Sequence, residues 1–419
     1  MKTHSNLLSL TAGLVIAACA GVPDSSAMEP LPKGALVIAG GGLSADTEAV
    51  WTSFITAAKD EGSIVIVPSA SGAPVESAQS VRETLERYGV APDRIEVAKL
   101  AVMDDRSTPD VDESEWRANI DRPKTAALFE QAAAVWFTGG DQSRTTELFL
   151  NRDGGATAAL QAIRRSNSDG MPIGGTSAGA AIMSDPMITQ GDSLTALTGS
   201  QSGEPIGLGH GLGFFHYGLV DQHFGERARL GRLVVALMDL DEPAARVGFG
   251  VDEDTALIAQ SDGWVGVEGN GYVTIVDARG ARQKTTASGA AQITGLTLHL
   301  MAQGDRFDAS LPGLAPADWK QVTVGAEYFS NAQPGGGGMA IPGQALANVI
   351  GDGLTDNAQS QSIERVSFDG SGRGVAYVFT QLPESAGYWG RGPDGEGRYA
   401  ISNIRFDILP VQLTIETLK

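Results

Sequence analysis

The chain has 419 residues, 42% of them apolar and only 19% charged, so it carries enough hydrophobic side chain for a large packed interior and is not a disordered polymer. A formal charge of -20 argues against nucleic acid or an anionic membrane surface as partner, because both would repel it. The 54 glycines point to tight turns and close backbone approaches, and the single cysteine rules out an intrachain disulfide.

The N-terminus, MKTHSNLLSLTAGLVIAACAG, places Lys2 and His4 ahead of an apolar run from Leu7 to Ala18. That run is too short to span a bilayer and reads as a secretory signal, so residues 1–27 are set aside as a leader. Cys19 closes the run in the context IAAC, which resembles the lipobox of bacterial lipoproteins, where the cysteine is acylated. The alternative is ordinary cleavage near SSA at 25–27, leaving a freely secreted protein. Either way the chain is expected to be exported, as a periplasmic or outer-membrane lipoprotein or as a secreted protein, touching a membrane only through that lipid.

After the linker VPDSSAMEPLPKG, apolar runs alternate with amphipathic stretches, the pattern of a parallel sheet covered on both faces. Strands are expected at 35–40, 63–69, 94–100, 134–140 and 171–177, with helices at 46–60, 74–88, 123–132 and 155–166. Ligands bind beyond the carboxyl ends of strands in such folds, and residues 139–141 and 174–179 sit at two such ends. From about 245 the runs VGFGVDEDTALIAQ, GWVGVEG and GYVTIVDA are short or alternating and predict antiparallel hairpins. Residues 311–419 read as a β-rich C-terminal extension or small second domain, punctuated by PGGGG, DGSGRG and GRGPDGEG.

GTSAG at 175–179 fits G-x-S-x-G, in which small neighbours let the chain turn from strand to helix with the Ser177 hydroxyl projecting into the crevice. The Ala178 amide, and one from the Gly139-Gly140 turn such as that of Gly140, would face the oxygen of a tetrahedral intermediate. The bland reading is a close strand-to-helix contact that needs small residues. A nucleophilic serine also needs a base. His210, His216 and His223 follow it in sequence, and His223 lies in LVDQHFGERARLGRL, where an apolar run delivers it to a strand end.

A metal site from these three histidines is disfavoured by their spacing. Arg227, Arg229 and Arg232 are not on one helical stripe, so at least one is expected to point inward, where a guanidinium suits a carboxylate-bearing ligand. Of Asp252, Glu253 and Asp254, spacing does not say which orients the histidine. GGGLSA at 40–45 fits the loose dinucleotide pattern, but the following strand lacks the acidic residue a ribose needs, and GGTSAG lacks a P-loop lysine; no cofactor is expected.

Four motifs in order, FTGGDQSRTTELF, GGTSAGAAIMSDPMI, GLGFFHYGLVDQHFGERARLGRL and GFGVDEDTAL, closely resemble those of cyanophycinases, serine peptidases related to aspartyl dipeptidases. The resemblance spans about residues 35–310, with LTLHLMAQGDRFD like the closing segment. It implies a class I glutamine amidotransferase-like three-layer α/β fold over 28–310. It further implies Ser177 as nucleophile, His223 as general base and Glu253 as its orienting acid, acting through an acyl-enzyme without metal or cofactor.

Gln142, Asp221, Gln222, Arg227, Arg229 and Arg232 match positions lining the substrate pocket. The implied substrate is cyanophycin, multi-L-arginyl-poly-aspartate, cut to β-Asp-Arg dipeptides. Alternatives are an aspartyl or β-aspartyl dipeptidase acting on small peptides, and a non-enzymatic envelope lipoprotein that binds a peptide or glycan. A homodimer stays open, His216 in FFHY is a competing base, and the motifs do not account for the region after 310.

Overall fold

The structure, a computed structural model, describes residues 34–414 apart from 201–202, 288, 310–312 and 334–335. The leader, the linker and Cys19 therefore lie outside the described residues. Five short strands form the parallel centre of one sheet, in the spatial order Ile95–Val97, Ile64–Val67, Ala134–Phe137, Ile173–Thr176, Leu36–Ala39. Leu36–Ala39, Ile64–Val67 and Ala134–Phe137 are buried at every position, the consequence of apolar runs covered on both faces.

Successive side chains of these strands point to opposite layers. Val37, Ile64, Ile66 and Trp136 pack with Trp51, Phe54 and Leu85 from the helices Glu48–Ala57 and Pro74–Arg87. On the other side Val65, Val67, Val135 and Phe137 pack with Phe129, Leu160 and Ile163 from the helices Pro123–Glu130 and Ala158–Ser168. This is the three-layer α/β arrangement expected from the alternation. All five strands and four helices fall within the expected stretches or within two residues of them.

Beyond the parallel centre the sheet continues antiparallel, through Thr255–Ala259 beside Leu36–Ala39 and then Trp264–Gly269, Arg306–Asp308 and Gly313–Ala315. A second sheet begins with Leu219–Gln222 and Val247–Val251 and runs through Tyr272–Asp277 and Ala291–Ala302 into Gly397–Gln412, Arg373–Arg391 and Gln321–Val322. The C-terminal extension is thus β-rich but does not fold apart. Its two long strands complete a sheet whose other members carry the DQH and DED segments. The helix Leu230–Met238, buried at every position, packs with Leu298, Tyr377 and Phe406 of that sheet.

A buried ion pair fastens the extension to the rest. Lys320 Nζ lies 2.5 Å from Asp305 Oδ2, with both side chains fully buried. Asp305 also accepts hydrogen bonds from the Ala302 and Ala317 amides, and Lys320 donates to the Tyr399 carbonyl. Removing one partner leaves an uncompensated charge in the interior. Lys320→Met is therefore expected to lower unfolding stability by about 3–5 kcal/mol in chemical denaturation, and Asp305→Asn with Lys320→Met by less than the sum of the two single changes.

Candidate active site

Three strand ends meet at the carboxyl edge of the parallel sheet. Ile173–Thr176 ends at Ser177, whose backbone sits at φ 54°, ψ -109°, a strained conformation for a residue with a Cβ. The Ser177 amide donates to the Ala39 carbonyl at 3.0 Å, and the Ser177 carbonyl accepts from the amides of Ala180 and Ala181, starting the helix Ala178–Ala181. The small residues around it are a packing requirement. A Cβ at Gly179 would fall 2.4 Å from the Phe137 carbonyl oxygen, and one at Gly175 would fall 2.5 Å from that of Gly179.

Leu219–Gln222 delivers His223, also at positive φ (46°), with its amide donating to the Gly40 carbonyl at 2.6 Å. Its Nε2 lies 2.8 Å from Ser177 Oγ, and its Nδ1 lies 2.5 Å from Glu253 Oε1. Because the carboxylate accepts from Nδ1, Nε2 is the bare nitrogen and accepts the serine hydroxyl proton. A hydroxyl, an imidazole and a carboxylate in this series can generate an alkoxide nucleophile at neutral pH.

His223 is 7% exposed, and burial pulls its pKa below the ordinary 6.5. The bond to Glu253 opposes this, while Arg227 and Arg229 reinforce it, so the ring is neutral at pH 7.

The other two acids do different work. Asp252 accepts from the amides of Gly225 (2.8 Å) and Tyr272 (3.1 Å), while Asp254 accepts from the Ser44 amide (2.6 Å) and the Thr47 hydroxyl (2.7 Å). The loop at 40–42, weighed above as part of a nucleotide pattern, instead backs the histidine. A Cβ at Gly41 would sit 2.3 Å from His223 Cε1, and one at Gly42 would sit 2.7 Å from Glu253 Oε2. The missing acidic residue after the next strand had already disfavoured a nucleotide, but nothing in the sequence assigned these glycines to the histidine, because both roles require glycine at a strand end.

The expected pocket residues divide. Asp221 and Arg232 are buried against each other, Nη2 to Oδ1 at 2.5 Å and Nε to Oδ2 at 2.8 Å, and Arg232 also donates to the Gly191 carbonyl. A guanidinium so engaged has no free fork for a ligand, so this pair braces the strand that carries His223 and does not line a pocket. Gln142, at the start of the helix Gln142–Phe149, is buried and donates to the carbonyls of Ile188 and Thr189.

Arg229 donates to Gln222 through both its carbonyl (2.5 Å) and its Oε1 (2.8 Å), and burial lowers the Arg229 pKa to about 10. Arg227 alone of the three arginines is exposed. Arg144, not singled out above, donates to the Ala70 carbonyl at 3.1 Å beside the same strand ends. Gly140, at φ 139°, and Ala178 lie at the turns following Ala134–Phe137 and Ile173–Thr176.

The remaining histidines are elsewhere. His216 is exposed on a separate cavity of about 660 Å³ bounded by Arg164, Asp185 and Leu240, and His210 lies 3.3 Å from Asp185. His299 is buried edge-on to Phe307, and its burial lowers its pKa to about 4. Among the described residues no cluster of three His, Cys, Asp or Glu side chains is placed to hold a metal ion.

The cyanophycinase of Trichormus variabilis is 31% identical over 281 residues, covering 64% of this chain and 83% of that one. The cyanophycinase of Geminocystis herdmanii is 32% identical over 250 residues, covering 58% and 82%. A crystal structure of a peptidase from an acI-B1 actinobacterium matches with a TM-score of 0.43 and 19% identity over 69% of this chain and 97% of the other, too distant to carry an argument. The family model for peptidase family S51 matches residues 35–265, the stretch that supplies Ser177, His223 and Glu253, and the chain belongs to that family of serine-type peptidases.

Proposed function

We propose that this peptidase is a cyanophycinase, hydrolysing multi-L-arginyl-poly-aspartate to β-Asp-Arg dipeptides through Ser177, His223 and Glu253. The observation that carries the reading is the unbroken series from Ser177 Oγ through His223 to Glu253, at 2.8 and 2.5 Å. Similarity to proteins named cyanophycinase supports the choice of substrate.

In the acylation step Ser177 Oγ attacks the scissile carbonyl carbon while its proton passes to His223 Nε2. The negative oxygen of the tetrahedral intermediate is met by the amides of Ala178 and Gly140. His223 then gives its proton to the leaving amine, and water activated by the same ring hydrolyses the ester. Glu253 stabilises the imidazolium through Nδ1–H. Arg227, exposed near His223, is the arginine free to grip an aspartate carboxylate of the polymer. The acidic protein attracts the polymer's guanidinium groups. Export, with or without acylation of Cys19, is part of this proposal and rests on the leader sequence.

Incubation with insoluble cyanophycin and with Asp-Xaa dipeptides tests the substrate. Clearing of the polymer to β-Asp-Arg is the expected result, whereas turnover of small peptides alone would make this a dipeptidase. Labelling by a serine-directed phosphonate, lost in Ser177→Ala, separates either enzyme from a binding protein.

Ser177→Ala and His223→Ala are each expected to lower kcat on the order of 10⁴-fold or more, and Glu253→Gln by about 10²–10⁴-fold with KM little changed. His216→Ala should leave turnover intact, and an effect as large as that of His223→Ala would reassign the base.

The pH profile follows from the lowered His223 pKa. The neutral ring is the active form, so kcat/KM should hold as pH falls through 6.5 and drop only below it. Arg227 disfavours the protonated ring, so Arg227→Ala should move the acid limb to higher pH as well as raising KM.

A further inference from the structure

A second cavity, of about 320 Å³, lies against the loop that follows His223. Its walls are mostly apolar, with Phe224, Leu230 and Leu300 on one side and Met339 and Leu346 of the C-terminal extension on the other. The extension segment is anchored there: Met339, Ala340 and Ala347 are buried, and the Ala340 amide donates to Ser367 Oγ at 2.8 Å. Neither Ser177 nor His223 lines this space, but Phe224 and Gly225 directly follow the histidine, and Asp252 directly precedes Glu253.

Two carboxylates, Asp252 and Glu226, lie on these walls. Backbone amides hold both: Gly225 and Tyr272 donate to Asp252, and Glu253 donates to Glu226 at 3.2 Å. Neither forms an ion pair with a Lys, Arg or His of the described residues. Glu226 is exposed, whereas Asp252 is enclosed, and a desolvated carboxylate is costly without a cation: burial, with Glu226 and Glu253 adding to it, pushes Asp252 up to about 7. The basic group on the wall, Arg229, has its guanidinium turned to Gln222 and Asp221. The phenol of Tyr272 faces the same space and accepts from the Tyr399 amide. Apolar walls of this size with an enclosed carboxylate, a second one exposed beside it and the nearby guanidinium turned to other partners suit a cation on a short aliphatic stem.

We propose that this cavity binds an alkyl guanidinium, its charge held by Asp252 and Glu226 and its methylenes packed against Leu300, Met339 and Leu346. The extension thereby contributes a wall to a subsite next to the His223 and Glu253 loops. That the occupant is the arginyl group of the substrate rests on the function proposed above; the cation site itself does not.

The test is calorimetric titration of agmatine, which carries a guanidinium at one end of a four-carbon chain and an ammonium at the other, into the full-length Ser177→Ala protein. One agmatine per chain is expected at pH 8, with affinity about tenfold weaker at pH 6 because Asp252 is then protonated. Asp252→Asn and Glu226→Gln should each weaken binding tenfold or more. Leu346→Trp, which fills the space without touching a charge, should abolish it, with thermal unfolding checking that each variant is folded.

Absence of binding at pH 8, or binding unchanged in Asp252→Asn and in Leu346→Trp, overturns the site and leaves the peptidase reading standing. Agmatine binding with no cleavage of cyanophycin by the native protein keeps the site and removes its assignment to that substrate. In the native enzyme, preference for arginyl over citrullinyl polymer should fall about tenfold in Glu226→Gln, and an equal loss on both polymers would count against the site.

Discussion

An imidazole held on both nitrogens at once is the constraint around which this molecule is built. His223 needs a carboxylate on Nδ1 to leave Nε2 bare, and a hydroxyl within hydrogen-bond reach of Nε2. The three groups come from strand ends far apart in sequence, two in one sheet region and one in another, so their separation is set by how the two sheets meet. Much of the surrounding hydrogen bonding maintains that meeting. The Gly40 carbonyl holds the His223 amide, the Ala39 carbonyl holds the Ser177 amide, and the Asp254 amide donates to the Gly41 carbonyl. The end of Leu36–Ala39 and the two glycines that follow it thus register Ser177, His223 and the loop that carries Glu253. Positive φ at Ser177, His223 and Asp254 marks where the backbone is bent to do so.

Charge in the site is arranged in layers. The ring is kept neutral chiefly by burial, with two arginines adding to the effect and one carboxylate opposing it. Beneath it Asp221 neutralises Arg232 in the interior, which removes both from contact with ligand but stiffens the strand that presents the histidine. The two acids flanking Glu253 are tied to backbone amides on opposite sides, Asp252 to the loop after His223 and Asp254 to the loop after Leu36–Ala39. Three adjacent carboxylates therefore serve as one orienting group between two clamps.

The C-terminal extension belongs to this scheme through the second sheet. Its strands continue from Ala291–Ala302, and its segment around Met339 and Leu346 reaches the loop after His223. The family match ends at residue 265 and says nothing of it. The buried Asp305–Lys320 pair ties the start of the extension to the region before it, and the Ala340 amide, donating to Ser367 Oγ, holds the segment that forms the wall.

Apolar periodicity alone determined the parallel strands, the four early helices and the antiparallel turn of the chain near 245, because a strand buried on both faces must be apolar throughout and a helix over it must be amphipathic. The small residues around Ser177 and the strand-end position of His223 were likewise legible, since a sharp turn and close packing leave few residue types available. Which acid reaches the imidazole was not legible from spacing, and only the family resemblance pointed to Glu253, for 252–254 are adjacent and their directions depend on loop bonds to residues 44, 47, 225 and 272. The fates of Arg227, Arg229 and Arg232 were equally hidden, because whether a guanidinium meets solvent, a glutamine or a buried aspartate is decided by the partner that folding brings to it. Side-chain type and local period are properties of a short stretch of chain, whereas pairing, burial and the shape of a cavity arise only when distant stretches come together.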